Sequence, residues 1–228
     1  MLKKSLLQLL NSAKGEMAAA AFLKKNPNVV RWAFSGKGGH STFVLADFPF
    51  GARFRADFVV ILSYSGAWEV HFVELEPVSD IVITKDGKAS KRFNGAISQI
   101  GDWREFIERN PGLVRKDLSD WCRKKDLLGE SDGSRPINFS GNLLGDPETF
   151  IDFGFHVVIG RRGRVMGEKR RKMNQYRHGF FHVCTYDTFV DIAGNLEKAS
   201  SKNVQRVDLT ETHDFPSGLA GKLRIQLE

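Results

Sequence analysis

The chain has 228 residues, 41% of them hydrophobic and 18 of them phenylalanine, so it is long enough to bury a large core in one domain, or in one domain with an appendage. Its formal net charge of +7 suits a polyanionic partner such as nucleic acid, although a basic surface also serves solubility alone. Two distant cysteines and six scattered histidines give no zinc-binding spacing, and no stretch is apolar enough to span a membrane, so we expect a cytoplasmic protein without a membrane partner.

The first third of the chain combines helical and strand patterns. Apolar residues at roughly helical spacing predict one helix over residues 2–25, which the following Asn-Pro pair ends. A glycine-rich turn is predicted at residues 36–39. The strands predicted in this part are 29–34, 41–48 and the two arms of a β-hairpin across 56–76.

The remaining elements alternate helix and strand, with a loop rich in Gly, Ser, Asp and Pro at 129–147. The predicted helices are 90–108, 113–126, 166–177 and 187–197, with Asp187 as a cap, and the predicted strands are 153–159 and 180–185. This order predicts an α/β (α+β) fold in which helices flank a mixed central β-sheet. We expect an N-terminal helix packed on the core (1–28), a core domain (29–199) and a polar tail with a short terminal strand (200–228).

Three carboxylates are predicted to meet at the hairpin. If its turn centres between Ser65 and Gly66, Asp57 lies opposite Glu74, and the alternation of side chains places Glu76 on the same face. Acids clustered at the end of a core hairpin repel one another, and a divalent cation would remove the cost of burying them. Oxygen donors suit Mg²⁺ or Mn²⁺ better than zinc. The alternative is that the two glutamates pair with Lys or Arg at a sheet edge.

The same arrangement, followed by Gln99 on the next helix, is that of the PD-(D/E)XK nuclease fold. Phosphodiester hydrolysis requires a cation that holds a phosphate oxygen and lowers the pKa of a water molecule. Asp57 and Glu74 are the predicted ligands, with the main-chain carbonyl of Leu75 as another, and Glu76 is predicted to face the attacking water. Gln99 is predicted to lie beside these acids, although a polar residue on an apolar helix also serves to cap a buried backbone group.

Several stretches resemble the Shedu antiphage nucleases. They are residues 16–27, 56–60, 72–77, 93–103, 157–162, 174 and 185–189. The resemblance covers residues 16–195 and implies a PD-(D/E)XK nuclease of bacterial defence that acts on DNA and forms homo-oligomers. It assigns metal binding to Asp57 and Glu74, a place near the site to Gln99, and a possible acidic match on the first helix to Glu16.

Position 76 departs from the pattern, because Glu76 stands where the motif has a lysine. A glutamate supplies no positive charge there, but it can act as a general base or bind a second cation. Lys85, Lys88 and Lys91 follow closely enough in sequence to replace the lysine. The leading hypothesis is a metal-dependent DNA endonuclease; the alternatives are a catalytically degenerate DNA-binding or sensor module and an assembly protein.

A dense basic segment follows the strand predicted at 153–159. Its cations are Arg161, Arg162, Arg164, Lys169, Arg170, Arg171 and Lys172. Such a segment neutralises several phosphates without reading base sequence, which predicts a salt-dependent contact with DNA. The alternatives are a solvated helix face and an oligomer contact.

Overall fold

The computed structural model describes residues 1–35, 41–64, 66–129, 135–177, 179 and 181–201. The glycine-rich turn predicted at 36–39 and nearly all of the predicted tail, including its terminal strand, lie outside these residues. The helices are α1 (Leu2–Ser12), α2 (Met17–Lys25), α3 (Pro27–Phe34), α4 (Lys91–Arg109), α5 (Pro111–Lys125), α6 (Glu168–Gln175) and α7 (Asp187–Ser201). The strands are β1 (Thr42–Phe50), β2 (Phe54–Ser63), β3 (Ala67–Leu75), β4 (Phe150–Val158) and β5 (Phe181–Cys184).

The five strands form one mixed sheet in the order β1-β2-β3-β4-β5. The first three strands are antiparallel neighbours, whereas β3, β4 and β5 run parallel. Val60 pairs with His71, which is the predicted hairpin register. Helices α4 and α5 form the connection between the parallel strands β3 and β4, as parallel pairing requires. The predicted mixed sheet with flanking helices is therefore confirmed.

Each face of the sheet is covered by its own apolar core. On one face, Val59 and Phe72 pack with Trp103 of α4. On the other face, Phe58 and Val60 pack with residues of α1, α3 and α7. A strand buried on both faces reads as a continuous apolar run, which explains the sequence of β2.

Two N-terminal predictions are wrong. Residues 29–34 form most of helix α3, not a strand, because Pro27 begins a new helix at a position where its missing N–H costs nothing. The helix buries Val29, Val30 and Ala33 at helical spacing. The single helix predicted over 2–25 is two helices that break after Ser12.

Within the described ranges, no helix combines the length and the apolar character needed to cross a bilayer.

Candidate metal centre

The site begins where the hairpin strands separate. The ladder between β2 and β3 runs as far as the pair Phe58–Val73. Beyond it, the Asp57 carboxylate accepts a hydrogen bond from the Leu75 N–H, with Oδ2 2.7 Å from the nitrogen. The N–H and C=O of one residue in an extended strand point to the same side. The Leu75 carbonyl therefore faces the gap that Asp57 occupies.

Glu74 lies on the sheet face covered by α4. Phe72, two residues earlier on β3, points to the same face as Glu74 and belongs to the core beneath that helix. Its partner on β2, Val59, belongs to the same core. Gln99 of α4 makes a side-chain hydrogen bond to the Glu74 carboxylate. The structure thus brings Asp57, Glu74 and Gln99 together as predicted.

Burial raises the pKa values of the carboxyl groups at this end of the hairpin. Burial raises the pKa of Glu74 to about 8, with the Asp57 charge adding to the shift and the Gln99 hydrogen bond opposing it. Burial also raises the pKa of Asp57, against the stabilising Leu75 N–H. A site in which two neighbouring carboxylates resist ionisation is one that an added cation would stabilise.

Glu76 also lies on this side of the sheet, just past the end of β3, and is only 7% exposed. Burial raises its pKa to about 7, and Arg92 opposes the shift. The Arg92 Nε lies 3.4 Å from Glu76 Oε2 and 3.5 Å from Asp80 Oδ2. The alternative weighed from the sequence, that the two glutamates pair with Lys or Arg, therefore applies to Glu76, and its partner is Arg92.

A pocket of about 740 Å³ opens beside Glu76. Its walls are the loop that follows β3 and the first turns of α4, and both Glu76 and Gln99 line it. Glu76 and Gln99 are therefore reachable by a ligand from this side.

Asp47 is an acid of this region that the sequence patterns missed. It falls between the pairs Ala46–Phe58 and Phe48–Ala56, and so lies across the β1–β2 ladder from Asp57. Its φ of 50° marks a local break in the strand. Its Oδ2 is 2.6 Å from Lys24 Nζ, which offsets its charge. The sequence signal was a lone aspartate inside the apolar run of β1.

Tyr186 is a second residue that the patterns missed. Its buried hydroxyl donates a hydrogen bond of 2.8 Å to the Glu76 carbonyl, which braces the end of β3 against the segment that follows β5. Gly160 lies close to the same loop and has a φ of +63°. A Cβ at this position would lie 2.2 Å from the Asp80 carbonyl oxygen, which is too close for any side chain. A glycine is therefore needed for the loop carrying Asp80 to approach β4.

The donor set fits a hard divalent cation. Over the described part of the chain, no group of three or more His, Cys, Asp or Glu side chains is placed to hold a metal ion, so the expectation that Asp57, Glu74 and Glu76 meet around one cation is wrong. Mg²⁺ usually takes only one or two protein carboxylates and keeps several water ligands. Asp57 and Glu74 supply two carboxylates for such a site, and the Leu75 carbonyl is a further oxygen donor.

The structure divides the basic segment into two parts. Arg161 pairs with Asp187 at 3.0 Å, and Arg162 pairs with Asp191, so both side chains are directed to α7. Asp187 uses its carboxylate for Arg161 and for the Arg162 main-chain N–H. A phosphate would therefore have to compete with Asp187 and Asp191 for the side chains of Arg161 and Arg162.

Two further cations of the basic segment, Arg164 and Lys172, contact the loop that borders the pocket. Arg164 donates to the Ser79 carbonyl, and Lys172 reaches Gly87, where a Cβ would lie 2.3 Å from its Nζ. Lys172 also pairs with Glu168 at 3.2 Å. The other cations of this part are Lys169, Arg170 and Arg171 on α6.

Residues 13–190 match the family model described as Shedu protein SduA, C-terminal. The matched range contains the four candidate catalytic residues and the whole basic segment. No curated protein matches the chain.

Proposed function

The chain belongs to the Shedu SduA C-terminal family, and from that premise we propose that it is a metal-dependent DNA endonuclease with a PD-(D/E)XK core. Family membership suggests a role in antiphage defence. The observation that carries the proposal is the splayed hairpin end, where Asp57 binds the Leu75 N–H and Glu74 is held by Gln99.

Asp57, Glu74 and the Leu75 carbonyl would hold Mg²⁺ or Mn²⁺. A cation there would supply positive charge beside the reacting phosphate and would lower the pKa of a water molecule. Gln99 keeps the Glu74 carboxylate oriented through its hydrogen bond. The Leu75 N–H does the same for Asp57, so both ligands are preorganised by the fold.

Glu76 lines the pocket beyond Glu74, in the place where a lysine would orient the attacking water. Its carboxylate accepts hydrogen bonds and so orients water by accepting instead of donating. The bracing by Tyr186 fixes the main chain at this residue.

DNA would approach the pocket along the basic residues that border its loop. Arg164 and Lys172 contact that loop directly, and Arg171 on α6 is exposed to solvent. Contacts of this kind position a duplex without reading its sequence. Self-assembly into homo-oligomers stays a prediction from the family resemblance.

The test is a nicking assay on supercoiled and linear DNA in EDTA, Mg²⁺ or Mn²⁺. We expect cleavage only with a divalent cation and a loss of at least ~10³-fold in rate for Asp57→Ala, because a primary ligand contributes several kcal/mol to transition-state stabilisation. Asp57→Asn is the isosteric companion, and Asp102→Asn, an exposed acid on α4, is the matched control. Cleavage by Asp57→Ala at the wild-type rate would overturn the assignment.

The second candidate is a DNA-binding or sensor module that has lost catalysis. The observation in its favour is Glu76, which stands in place of a lysine and is already paired with Arg92. This candidate predicts salt-dependent DNA binding and no nicking with either metal in the same assay.

A further inference from the structure

We propose that Arg92 binds a backbone phosphate of the nucleic acid in the pocket beside Glu76, and so supplies the positive charge that position 76 lacks. The inference rests on the proposed function and names how the same pocket recognises its substrate. Arg92 belongs to none of the patterns that the sequence singled out.

Arg92 is held at the pocket by the start of α4. Ser90 caps this helix by accepting a hydrogen bond of 3.1 Å from the Phe93 N–H, which places Lys91 and Arg92 in the first turn. Both cations line the pocket together with Glu76 and Gln99. Arg92 therefore lies on the same pocket as the proposed water-orienting carboxylate.

The carboxylates hold Arg92 only loosely. Its Nε lies 3.4 Å from Glu76 and 3.5 Å from Asp80, whereas charge-assisted hydrogen bonds are typically about 2.7–2.9 Å long. The Arg92 side chain is 61% exposed, whereas its partner Glu76 is only 9% exposed, so the guanidinium is the part of the pair that faces solvent. A phosphate can therefore reach the guanidinium from the solvent side without displacing it from the carboxylates.

The guanidinium geometry suits a phosphate. Its planar fork carries five N–H donors, so Arg92 can bind two phosphate oxygens side by side while Nε still faces the carboxylates. Asp80 competes with the phosphate for the same group. Removing the Asp80 charge should strengthen phosphate binding, and only if Arg92 is present.

The experiment is a double-mutant cycle on DNA affinity. A labelled duplex is titrated with the full chain in EDTA over a range of salt concentrations, using wild type, Arg92→Ala, Asp80→Asn and the double variant. We expect Arg92→Ala to lower the salt slope by about 1. We expect Asp80→Asn to tighten binding several-fold in the wild-type background and to have no effect without Arg92.

Arg109→Ala is the matched control, since Arg109 lies in the last turn of the same helix and pairs with Glu105 at 2.5 Å. It should keep the wild-type slope. If Arg92→Ala keeps that slope too, or if Asp80→Asn tightens binding equally without Arg92, the proposal is wrong. If Arg92→Ala does not fold, Arg92→Gln keeps the stem of the side chain and must show the same loss of slope.

Cleavage in Mg²⁺ separates this inference from the proposed function. A wild-type protein that binds DNA through Arg92 but never nicks it would refute the nuclease and leave the phosphate contact standing. A wild-type protein that nicks DNA, together with an Arg92→Ala variant of unchanged slope and rate, would refute only the phosphate contact. Arg92→Lys, which keeps the charge but not the fork, should keep the slope and recover part of the rate lost in Arg92→Ala.

Discussion

The Glu74 carboxylate shows how single contacts set the properties of the site. It is partly buried, faces the charge of Asp57, and has the Gln99 amide as its hydrogen-bond donor. The Gln99 hydrogen bond lowers its pKa, while burial, the largest cause, and the acidic neighbours Asp57, Glu76 and Glu16 raise it. Gln99 therefore favours the ionised form that a cation needs.

The first prediction concerns Gln99→Leu. Removing a hydrogen bond to a charged group costs about 1.5–3 kcal/mol, so we expect the Mg²⁺ concentration needed for half-maximal nicking to rise by roughly tenfold or more. The measurement is a Mg²⁺ titration of the nicking rate. Gln8→Leu, at an exposed position of α1, is the control and should leave the titration unchanged. An unchanged Mg²⁺ titration for Gln99→Leu would show that the Gln99 side chain does not hold Glu74 for metal binding.

A row of buried histidines lies on the opposite face of the sheet. His156 Nε2 is 3.0 Å from His71 Nδ1, and the His156 ring stacks on His182. Its ring also contacts Phe34 with centroids 4.7 Å apart. Burial lowers the pKa of His156 well below 6.5, with the two neighbouring histidines adding to the shift. The neutral form is therefore the one that the fold accepts.

The second prediction follows from that shift. In the unfolded chain His156 binds a proton near pH 6.5, whereas in the folded chain it does not, so the His156 contribution to the free energy of unfolding should fall as the pH drops below about 6.5. Glu74 and Glu76 contribute with the opposite sign, because their raised pKa values favour the folded chain as the pH falls. The His156 contribution is therefore measured as the difference in unfolding free energy between the wild type and His156→Gln, by urea unfolding at pH 7.5, 6.5 and 5.5, and it changes by at most ~1.4 kcal/mol per pH unit. The wild type should lose stability relative to the variant below pH 6.5, and a difference that does not change with pH would contradict this account.

At the scale of elements, the ends of three strands are tied together around the site. The Glu76 N–H donates to the Val158 carbonyl at 2.8 Å, and the Ile159 N–H donates to the Cys184 carbonyl at 3.0 Å. The hydroxyl of Tyr186, which lies just after β5, donates a further hydrogen bond to the Glu76 carbonyl. The loop after β3 is thereby fixed to β4 and to the segment after β5.

The third prediction tests this bracing with Tyr186→Phe. The change leaves the Glu76 carbonyl without its hydroxyl donor, which costs about 1–3 kcal/mol when the acceptor is buried. Denaturant unfolding measures the loss, and the nicking rate should fall with it if the bracing orients Glu76. Tyr176→Phe, in a ring that packs edge-on against Phe93, is the control and should be nearly neutral. Equal stabilities of the Tyr186 variant and the wild type would show that the brace is dispensable.

At the scale of the whole molecule, one basic stretch of sequence serves two purposes. Arg161 and Arg162 fasten the end of β4 to α7 through Asp187 and Asp191. Further along, Arg164 and Lys172 contact the loop that borders the pocket, and Arg171 is exposed on α6. The seven cations of the basic segment are therefore not equivalent as phosphate contacts.

The fourth prediction separates these two purposes. Arg161→Ala removes several hydrogen bonds from the mostly buried Asp187 carboxylate and should lower the free energy of unfolding by about 2 kcal/mol. Arg171→Ala should leave stability unchanged and lower the salt slope of DNA binding by about 1. Denaturant unfolding and a salt series of DNA titrations on both variants measure the two effects. If Arg171→Ala lowered the free energy of unfolding and Arg161→Ala lowered only the salt slope, these assignments would be wrong.

The sequence by itself determined the hairpin and its register, because apolar alternation and turn residues are local signals. It also placed Gln99, since helical spacing along α4 sets which side meets the sheet. It misassigned residues 29–34, whose β-branched residues are buried on a helix by tertiary packing.

Only the tertiary structure decided how the charges pair. Arg92 reaches Glu76 across 16 positions of sequence, Lys24 reaches Asp47, and Arg161 reaches Asp187. The physical reason is that an ion pair depends on distance in space and on burial, and neither is encoded in the spacing of residues along the chain.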